Sequence, residues 1–141
     1  MSGFLLDTNV VSEWVKPRPN AGVVRWLHEA DEDELFLSAV TMAELRYGVE
    51  RLKNGRRRTE LEKWLAGDLT ERFAGRILAV EEKIAAAWGR VMARSEARGK
   101  PLGVVDGFLA ATAEVHELIV VTRDVRAYEG FVRDIYDPWK S

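Results

Sequence analysis

Four acidic side chains of this 141-residue chain have the types and the placement to share one site. They are Asp7, Glu44, Asp106 and Asp124. Crowded carboxylates repel one another, and burial raises their pKa values unless a cation offsets the negative charge. An all-oxygen site with positions left for water suits Mg²⁺, or Mn²⁺, better than zinc or copper, which prefer nitrogen and sulfur ligands. Such a metal lowers the pKa of a bound water and stabilises charge on a phosphoryl oxygen, which is the chemistry of phosphodiester hydrolysis.

The amino-acid composition excludes several other kinds of catalytic and metal-binding site. The chain has no cysteine and two histidines, which excludes disulfides, thiolate metal sites and cysteine nucleophiles. The net charge is −2, from 21 lysines and arginines against 23 aspartates and glutamates, so a polyanion would have to bind locally. We find no signal-peptide pattern and no apolar stretch near the roughly 18 residues of a spanning helix, and we expect a cytoplasmic protein with no membrane partner.

Short apolar segments alternate with helical patterns along the chain. Segments rich in Leu and Val predict strands at 4–6, 35–40 and 118–121, with weaker candidates at 76–80 and 133–136. Apolar residues at helical spacing fill the intervals between these segments. The order predicts an α/β fold in which helices cover both faces of a parallel sheet.

The carboxyl ends of the predicted strands bring the acids together. In an open parallel sheet, ligands bind in the crevice outside these ends. Asp7, Glu44 and Asp124 each lie within a few residues of such an end, and a helix beginning at the same edge carries Asp106. We therefore expect all four side chains to face one cavity within reach of a shared metal.

Each acid also has a local structural explanation. Asp7 could form an Asx turn or an N-cap, and Asp124 could cap a short helix. Thr41 and Glu44 have the spacing of a capping box. Asp106 lies early in a helix, where free amides and the helix dipole favour a carboxylate. If two of the acids pointed to opposite faces of the sheet, these local explanations would be preferred.

Several segments of the chain resemble PIN-domain proteins. They are Leu5-Leu6-Asp7-Thr8-Asn9, residues 37–45 with Gly48, Asp106-Gly107-Phe108-Leu109-Ala110-Ala111 and Val121-Thr122-Arg123-Asp124. More narrowly, the chain is similar to the VapC and FitB-type toxins of bacterial toxin–antitoxin pairs in Ser12-Glu13, Gly75-Arg76-Ile77-Leu78 and Pro138-Trp139. The similarity runs from Phe4 to Trp139.

The resemblance implies a single PIN domain over residues 1–141, an α/β/α sandwich with a five-stranded parallel sheet. It implies the toxic component of a type II toxin–antitoxin system, an endoribonuclease that uses Mg²⁺ or Mn²⁺ and is inhibited by a cognate antitoxin. RNA is then the substrate, and DNA is contacted only indirectly through the antitoxin.

The resemblance also assigns roles to residues. Asp7, Glu44, Asp106 and Asp124 become catalytic and metal-binding, with Asp7 and Asp106 as the most direct ligands. Asn9 and Thr122 match the polar residues that support those ligands.

Basic and aromatic residues suggest where partners would bind. Arg123, Arg46 and Arg51 are candidates for contact with RNA phosphates, although Arg123 could equally form a local ion pair and the basic turn around residues 46–58 could be a solvated surface. Apolar residues around Trp14 and Trp26 could line a groove for an antitoxin helix or belong to the core. The stripe through Ile84, Trp88 and Met92 suggests a homodimer.

Two other functions stay open from the sequence. One is a non-catalytic interaction module within a DNA-bound autoregulatory complex with the antitoxin. The other keeps the metal chemistry but acts on DNA, as distant 5′-nuclease relatives do. The four intact acids favour the enzyme over the module, and the absence of large insertions counts against the DNA nuclease.

Overall fold

A five-stranded parallel sheet forms the centre of the molecule in a computed structural model that describes residues 3–140. Met1, Ser2 and Ser141, which belong to the predicted domain, lie outside the described residues. The strands are β1 (Phe4–Leu6), β2 (Leu35–Ser38), β3 (Ile77–Leu78), β4 (Ile119–Val121) and β5 (Ile135–Tyr136). Their order across the sheet is β3-β2-β1-β4-β5, and every neighbouring pair is parallel. The predicted parallel sheet is confirmed, and each of the five predicted segments contains a strand, although the segment 35–40 passes into a helix after Ser38.

Helices connect the strands. They are α1 (Thr8–Val11), α2 (Ala21–Glu29), α3 (Ala39–Glu50), α4 (Arg56–Lys63), α5 (Thr70–Arg72), α6 (Glu82–Ala97), α7 (Val104–His116) and α8 (Val125–Tyr128). Short 3₁₀ turns occupy Ser12–Val15 and Glu32–Glu34, and a π-helical segment at Trp64–Leu69 joins α4 to α5. No helix within residues 3–140 is both long enough and apolar enough to cross a bilayer.

Alternate residues of the central strand pack into two separate cores. Leu6 lies in a cluster with Val23 and Leu37, whereas Leu5 lies in a cluster with Leu109. Leu5 and Leu6 are both fully buried. Because successive side chains of a strand point to opposite faces, helices must cover both faces of the sheet, as the sequence predicts.

The start of α3 differs from the predicted strand and capping box. Strand β2 ends at Ser38, whose Oγ accepts a hydrogen bond of 3.0 Å from the backbone N–H of Val40 and so caps the helix. Thr41 is buried inside α3, and its hydroxyl has no hydrogen-bond partner among the described residues. The predicted capping box of Thr41 and Glu44 is therefore wrong, and Glu44 is available for another contact.

Candidate active site

Asp7 lies at the carboxyl edge of the sheet, directly after β1. Its backbone N–H donates to the carbonyl of Val121 in β4 at 2.9 Å, which fixes the carboxylate at the centre of that edge. Its Oδ1 accepts a hydrogen bond of 2.7 Å from the Thr8 backbone N–H and caps α1. The predicted N-cap is confirmed, but it occupies only one of the two carboxylate oxygens.

The second oxygen of Asp7 is held by a hydroxyl from β4's carboxyl end. Thr122 Oγ1 donates to Asp7 Oδ2 at 2.8 Å. The same Oγ1 accepts from the Asp124 backbone N–H at 3.0 Å and from Asn9 Nδ2 at 3.4 Å. Since both of those neighbours are donors, the single Thr122 proton must point to Asp7. Asn9 and Thr122 thus lie where a supporting role requires them.

Asp106 approaches Asp7 from the first turn of α7 and is half-buried. Its Oδ1 accepts a hydrogen bond of 3.0 Å from the hydroxyl of Tyr128, and that hydroxyl is also 3.3 Å from Asp7 Oδ2. Tyr128 is fully buried. One phenol therefore joins the two carboxylates that the sequence marks as the most direct metal ligands.

Glu44 and Asp124 lie around this pair. The Thr8 hydroxyl donates to Glu44 Oε1, so Thr8 connects Glu44 to Asp7 through its side chain and its backbone N–H. Asp124 is exposed and precedes α8, but its side chain makes no capping hydrogen bond. The local explanation of Asp124 as a helix cap is wrong, and its charge acts on Asp106 instead.

The pKa values of the central pair reflect burial without a cation. Burial raises the pKa of Asp7 to about 6, against the hydrogen bonds from Thr122 and Thr8, and the charge of Asp106 adds to the rise. Burial also raises the pKa of Asp106, against the hydrogen bond from Tyr128, and the charge of Asp124 contributes. This is the behaviour expected of carboxylates crowded together in the absence of positive charge.

Comparison with known proteins identifies the family. A sequence model of the PIN domain matches residues 4–130. The chain belongs to the PIN-domain family. It is 41% identical to toxin FitB of Neisseria gonorrhoeae over 96% of this chain and 98% of that protein. It is 38% identical to VapC ribonuclease Y4jK of Sinorhizobium fredii over 97% and 98%.

Solved structures of FitB complexes share the fold of this PIN domain. The crystal structure of FitAcB from Neisseria gonorrhoeae superposes with a TM-score of 0.93 at 40% identity, covering 98% of this chain and 99% of that one. The structure of FitAB bound to an IR36 DNA fragment gives a TM-score of 0.91 at 38% identity, covering 96% and 95%. The α/β/α arrangement expected from the resemblance is confirmed.

The donor set of the PIN domain fits a hard divalent cation, but the acids do not form a closed cage. All the candidate ligands are carboxylates, which suit Mg²⁺ or Mn²⁺. Within the described part of the chain, no three acidic or histidine side chains converge closely enough to hold one metal ion. The expected convergence of all four acids on one shared metal is thus not seen among these residues, and Asp7 and Asp106, which the Tyr128 hydroxyl joins, are the pair that could hold an ion together with water.

The three candidate arginines are exposed and lie in different environments. The Arg123 guanidinium lies over the ring of Trp139, 5.4 Å from its centroid. Arg46 forms an ion pair of 3.4 Å with Glu50, whereas Arg51 lies 5.3 Å from the centroid of the Tyr47 ring.

Thr8 and Tyr128 are the site residues that the sequence analysis missed. Thr8 follows Asp7 directly within the motif Leu5-Leu6-Asp7-Thr8-Asn9, so its position alone could have marked it. Tyr128 comes one helical turn after Asp124, a spacing that returns a side chain to the same face. A tyrosine in a short apolar segment is nevertheless typical of a core residue, and its ring is one.

Proposed function

We propose that this chain, as one PIN domain over residues 1–141, is the toxin of a type II toxin–antitoxin pair and cleaves RNA internally with the aid of Mg²⁺ or Mn²⁺. The observation that carries the proposal is the pair Asp7 and Asp106, joined by one phenol at the carboxyl edge of the sheet, with raised pKa values and no lysine or arginine beside them within residues 3–140. Similar proteins that bear the names of a toxin and of a ribonuclease support it.

The side chains of the pair would have distinct tasks. A bound divalent ion would supply a water of lowered pKa and would stabilise charge on the scissile phosphate. Asp7 and Asp106 would hold that ion. The hydroxyl of Thr122 orients Asp7, and Asn9 holds that hydroxyl in place through a contact of 3.4 Å.

Glu44 and Asp124 would act on water rather than as direct ligands. Glu44 Oε1 accepts the Thr8 proton, which leaves Oε2 free to accept a hydrogen bond from water. Asp124 is exposed and makes no side-chain hydrogen bond among residues 3–140, so it is the acid that solvent and substrate reach most readily. Both residues would position or deprotonate a water at the edge of the site.

RNA would approach across exposed arginines, because the net charge of the chain is negative and the site itself is acidic. Arg46 follows Glu44 on α3, and Arg51 comes directly after the end of that helix, about two turns beyond Glu44. Arg123 adjoins both Thr122 and Asp124 in the sequence. We assign contacts with RNA phosphates to these three arginines.

The antitoxin would bind on the side of α2 in a cytoplasmic complex, and contact with DNA would be made only through the antitoxin. Trp14 and Trp26 are half-buried and pack against the core, so they contribute to this surface only in part and do not line an open groove. Beside them, Val24 lines a shallow depression of about 540 Å³ together with Pro19, Ala21, Arg25 and His28. A homodimer completes the proposed assembly, but the stripe through Ile84, Trp88 and Met92 is wrong as its interface, because Ile84 is fully buried and Trp88 stacks on Phe108 of α7.

The test is cleavage of structured RNAs by the purified chain free of antitoxin, with Mg²⁺, with Mn²⁺ and with EDTA. We expect cleavage that EDTA abolishes and that Asp7→Asn and Asp106→Asn each eliminate. Asp134→Asn is the matched control. Asp134 is exposed and directly precedes β5, so it lies at the amino ends of the strands, whereas the candidate site lies at their carboxyl ends. Equal cleavage by the three variants, or cleavage that survives EDTA, would contradict the assignment. Cleavage of DNA but not RNA would favour the 5′-nuclease function.

A further inference from the structure

Tyr128 is fully buried, yet its hydroxyl lies between two acids. The ring belongs to the apolar cluster that contains Val91 and Leu109, so it reaches the site from the core. The hydroxyl is 3.0 Å from Asp106 Oδ1 and 3.3 Å from Asp7 Oδ2. A phenylalanine would fill the same space, which leaves the hydroxyl without a role in packing.

The hydroxyl has one proton to give to two acceptors. Both neighbouring atoms are carboxylate oxygens, which accept hydrogen bonds, so the phenol is the donor in each contact. Asp7 also receives hydrogen bonds from Thr8 and Thr122, whereas Asp106 receives no other hydrogen bond from the described residues. Asp106 therefore depends on Tyr128 for its orientation much more than Asp7 does.

We propose that Tyr128 is a positioning residue that fixes Asp106 beside Asp7 from the core side, so that Asp106 Oδ2 is the oxygen left to bind a divalent ion. This inference rests on the proposed function in one respect, that the pair binds such an ion. It assigns to Tyr128 no contact with substrate or with the ion. Its effect passes through the carboxylates that it holds.

The core-side approach distinguishes positioning from competition with the ion. Asp106 is half-buried and Asp124 is exposed, whereas Tyr128 is fully buried, so solvent reaches the pair at Asp106 and not past the tyrosine ring. An ion arriving from solvent meets the carboxylate oxygens that the phenol does not occupy. Removing the hydroxyl should therefore loosen Asp106 and weaken ion binding, rather than open a place for the ion.

The first test is Mn²⁺ binding to Tyr128→Phe, measured by titration calorimetry alongside the unfolding temperature in EDTA. We expect Kd for Mn²⁺ to rise about tenfold, in line with the loss of an outer partner of a metal ligand. Tyr136→Phe is the matched control, because Tyr136 is half-buried against Trp26 and its hydroxyl makes no hydrogen bond among the described residues. An unchanged Kd in Tyr128→Phe, whatever its unfolding temperature, would overturn the proposal.

The second test does not require the variant to fold. The chain has three tyrosines, so 3-fluorotyrosine labelling gives three ¹⁹F signals; Tyr47→Phe and Tyr136→Phe assign two of them, and the remaining signal belongs to residue 128. We expect the signal of residue 128 to shift on titration with Mg²⁺ and to saturate at the calorimetric Kd, while the signal of residue 136 stays constant. A constant signal at 128 while Mg²⁺ binds would refute the positioning role.

Asp106→Asn separates this inference from the proposed function. If Asp106→Asn binds Mn²⁺ as tightly as the natural chain, the proposed metal site fails, and the role of Tyr128 fails with it. If Asp106→Asn loses Mn²⁺ while Tyr128→Phe retains it fully, the metal site stands and only the role of Tyr128 is refuted.

Discussion

Two buried carboxylates only six residues apart, Asp7 and Glu13, have pKa values that are shifted in opposite directions. Glu13 is 2% exposed, and Asp7 is 7% exposed. Burial opposes ionisation of Glu13, but Lys16 Nζ at 2.6 Å and the Asn20 backbone N–H at 2.7 Å outweigh it and lower its pKa. Asp7 has hydroxyl and amide donors but no lysine or arginine beside it in the described part of the chain, and burial raises its pKa to about 6.

Under the proposed function, the difference separates a structural acid from one that would bind a ligand. Glu13 ties the 3₁₀ turn at Ser12–Val15 to the chain entering α2, and its charge is compensated inside the protein. The charge of Asp7 is uncompensated, so its ionised form gains the most from a cation that comes from outside. Burial alone does not distinguish the two acids, whereas the direction of the pKa shift does.

The largest expected effect is on catalysis and comes from substitution of Asp7. Asp7→Asn should lower kcat/KM for RNA by about a hundredfold or more, since even an outer partner of a metal ligand typically contributes 10- to 100-fold. Glu13→Gln should leave the Kd for Mn²⁺ unchanged because Glu13 is compensated by Lys16. Cleavage assays and Mn²⁺ calorimetry measure both. Full activity in Asp7→Asn would remove Asp7 from the site.

The second effect is on the pH dependence of stability. Because the pKa of Asp7 is raised to about 6 from 3.8, its contribution to stability is fully present below pH 3.8 and is lost as the pH rises through 6. The loss amounts to about 3 kcal/mol in total in the metal-free protein, of which about 2 kcal/mol falls between pH 4.5 and pH 7. Denaturant unfolding in EDTA at these two pH values, with Asp7→Asn as reference, measures the second figure.

In Asp7→Asn this part of the pH dependence should disappear, so that the variant is more stable than the natural chain at pH 7 in EDTA. Saturating Mn²⁺ should reverse that order, because it stabilises only a chain that binds it. A natural chain whose stability rises between pH 4.5 and pH 7 relative to Asp7→Asn would show that the Asp7 charge is already compensated.

The third effect tests the other side of the comparison. Lys16→Met leaves Glu13 buried without its cation and should lower the free energy of unfolding at pH 7 by about 1–2 kcal/mol, a value reduced because Lys16 is half exposed. The loss should shrink as the pH falls through the lowered pKa of Glu13. Lys53→Met is the control, since Lys53 is exposed and has no ion pair in the described part of the chain. Equal stability of the two variants would mean that Lys16 does not compensate Glu13.

Local sequence patterns predict much of this fold but few of its long-range contacts. The strand segments are short runs of apolar residues, so composition alone marks them, and their carboxyl ends place the four acids near one edge. The start of α3 was mispredicted because Ser38 and Thr41 are both capping residues, and packing buried Thr41. Contacts such as Thr8 with Glu44 join residues 36 positions apart and depend on how α1 and α3 meet.

The smallest effect extends the comparison from acids to arginines. Arg46 is paired with Glu50, as Glu13 is paired with Lys16, whereas Arg51 has no ion pair within residues 3–140 and lies over the exposed ring of Tyr47. An arginine without an ion-pair partner is more available to bind a phosphate.

Arg51→Gln should therefore raise KM for RNA a few-fold and lower the salt slope of binding by about 0.7, the value for one phosphate contact on a single strand. Arg46→Gln should change both less, and Arg90→Gln, on α6 and paired with Glu114, should change neither. A larger effect from Arg46→Gln than from Arg51→Gln would mean that an ion pair within the protein does not decide which arginines bind RNA phosphates.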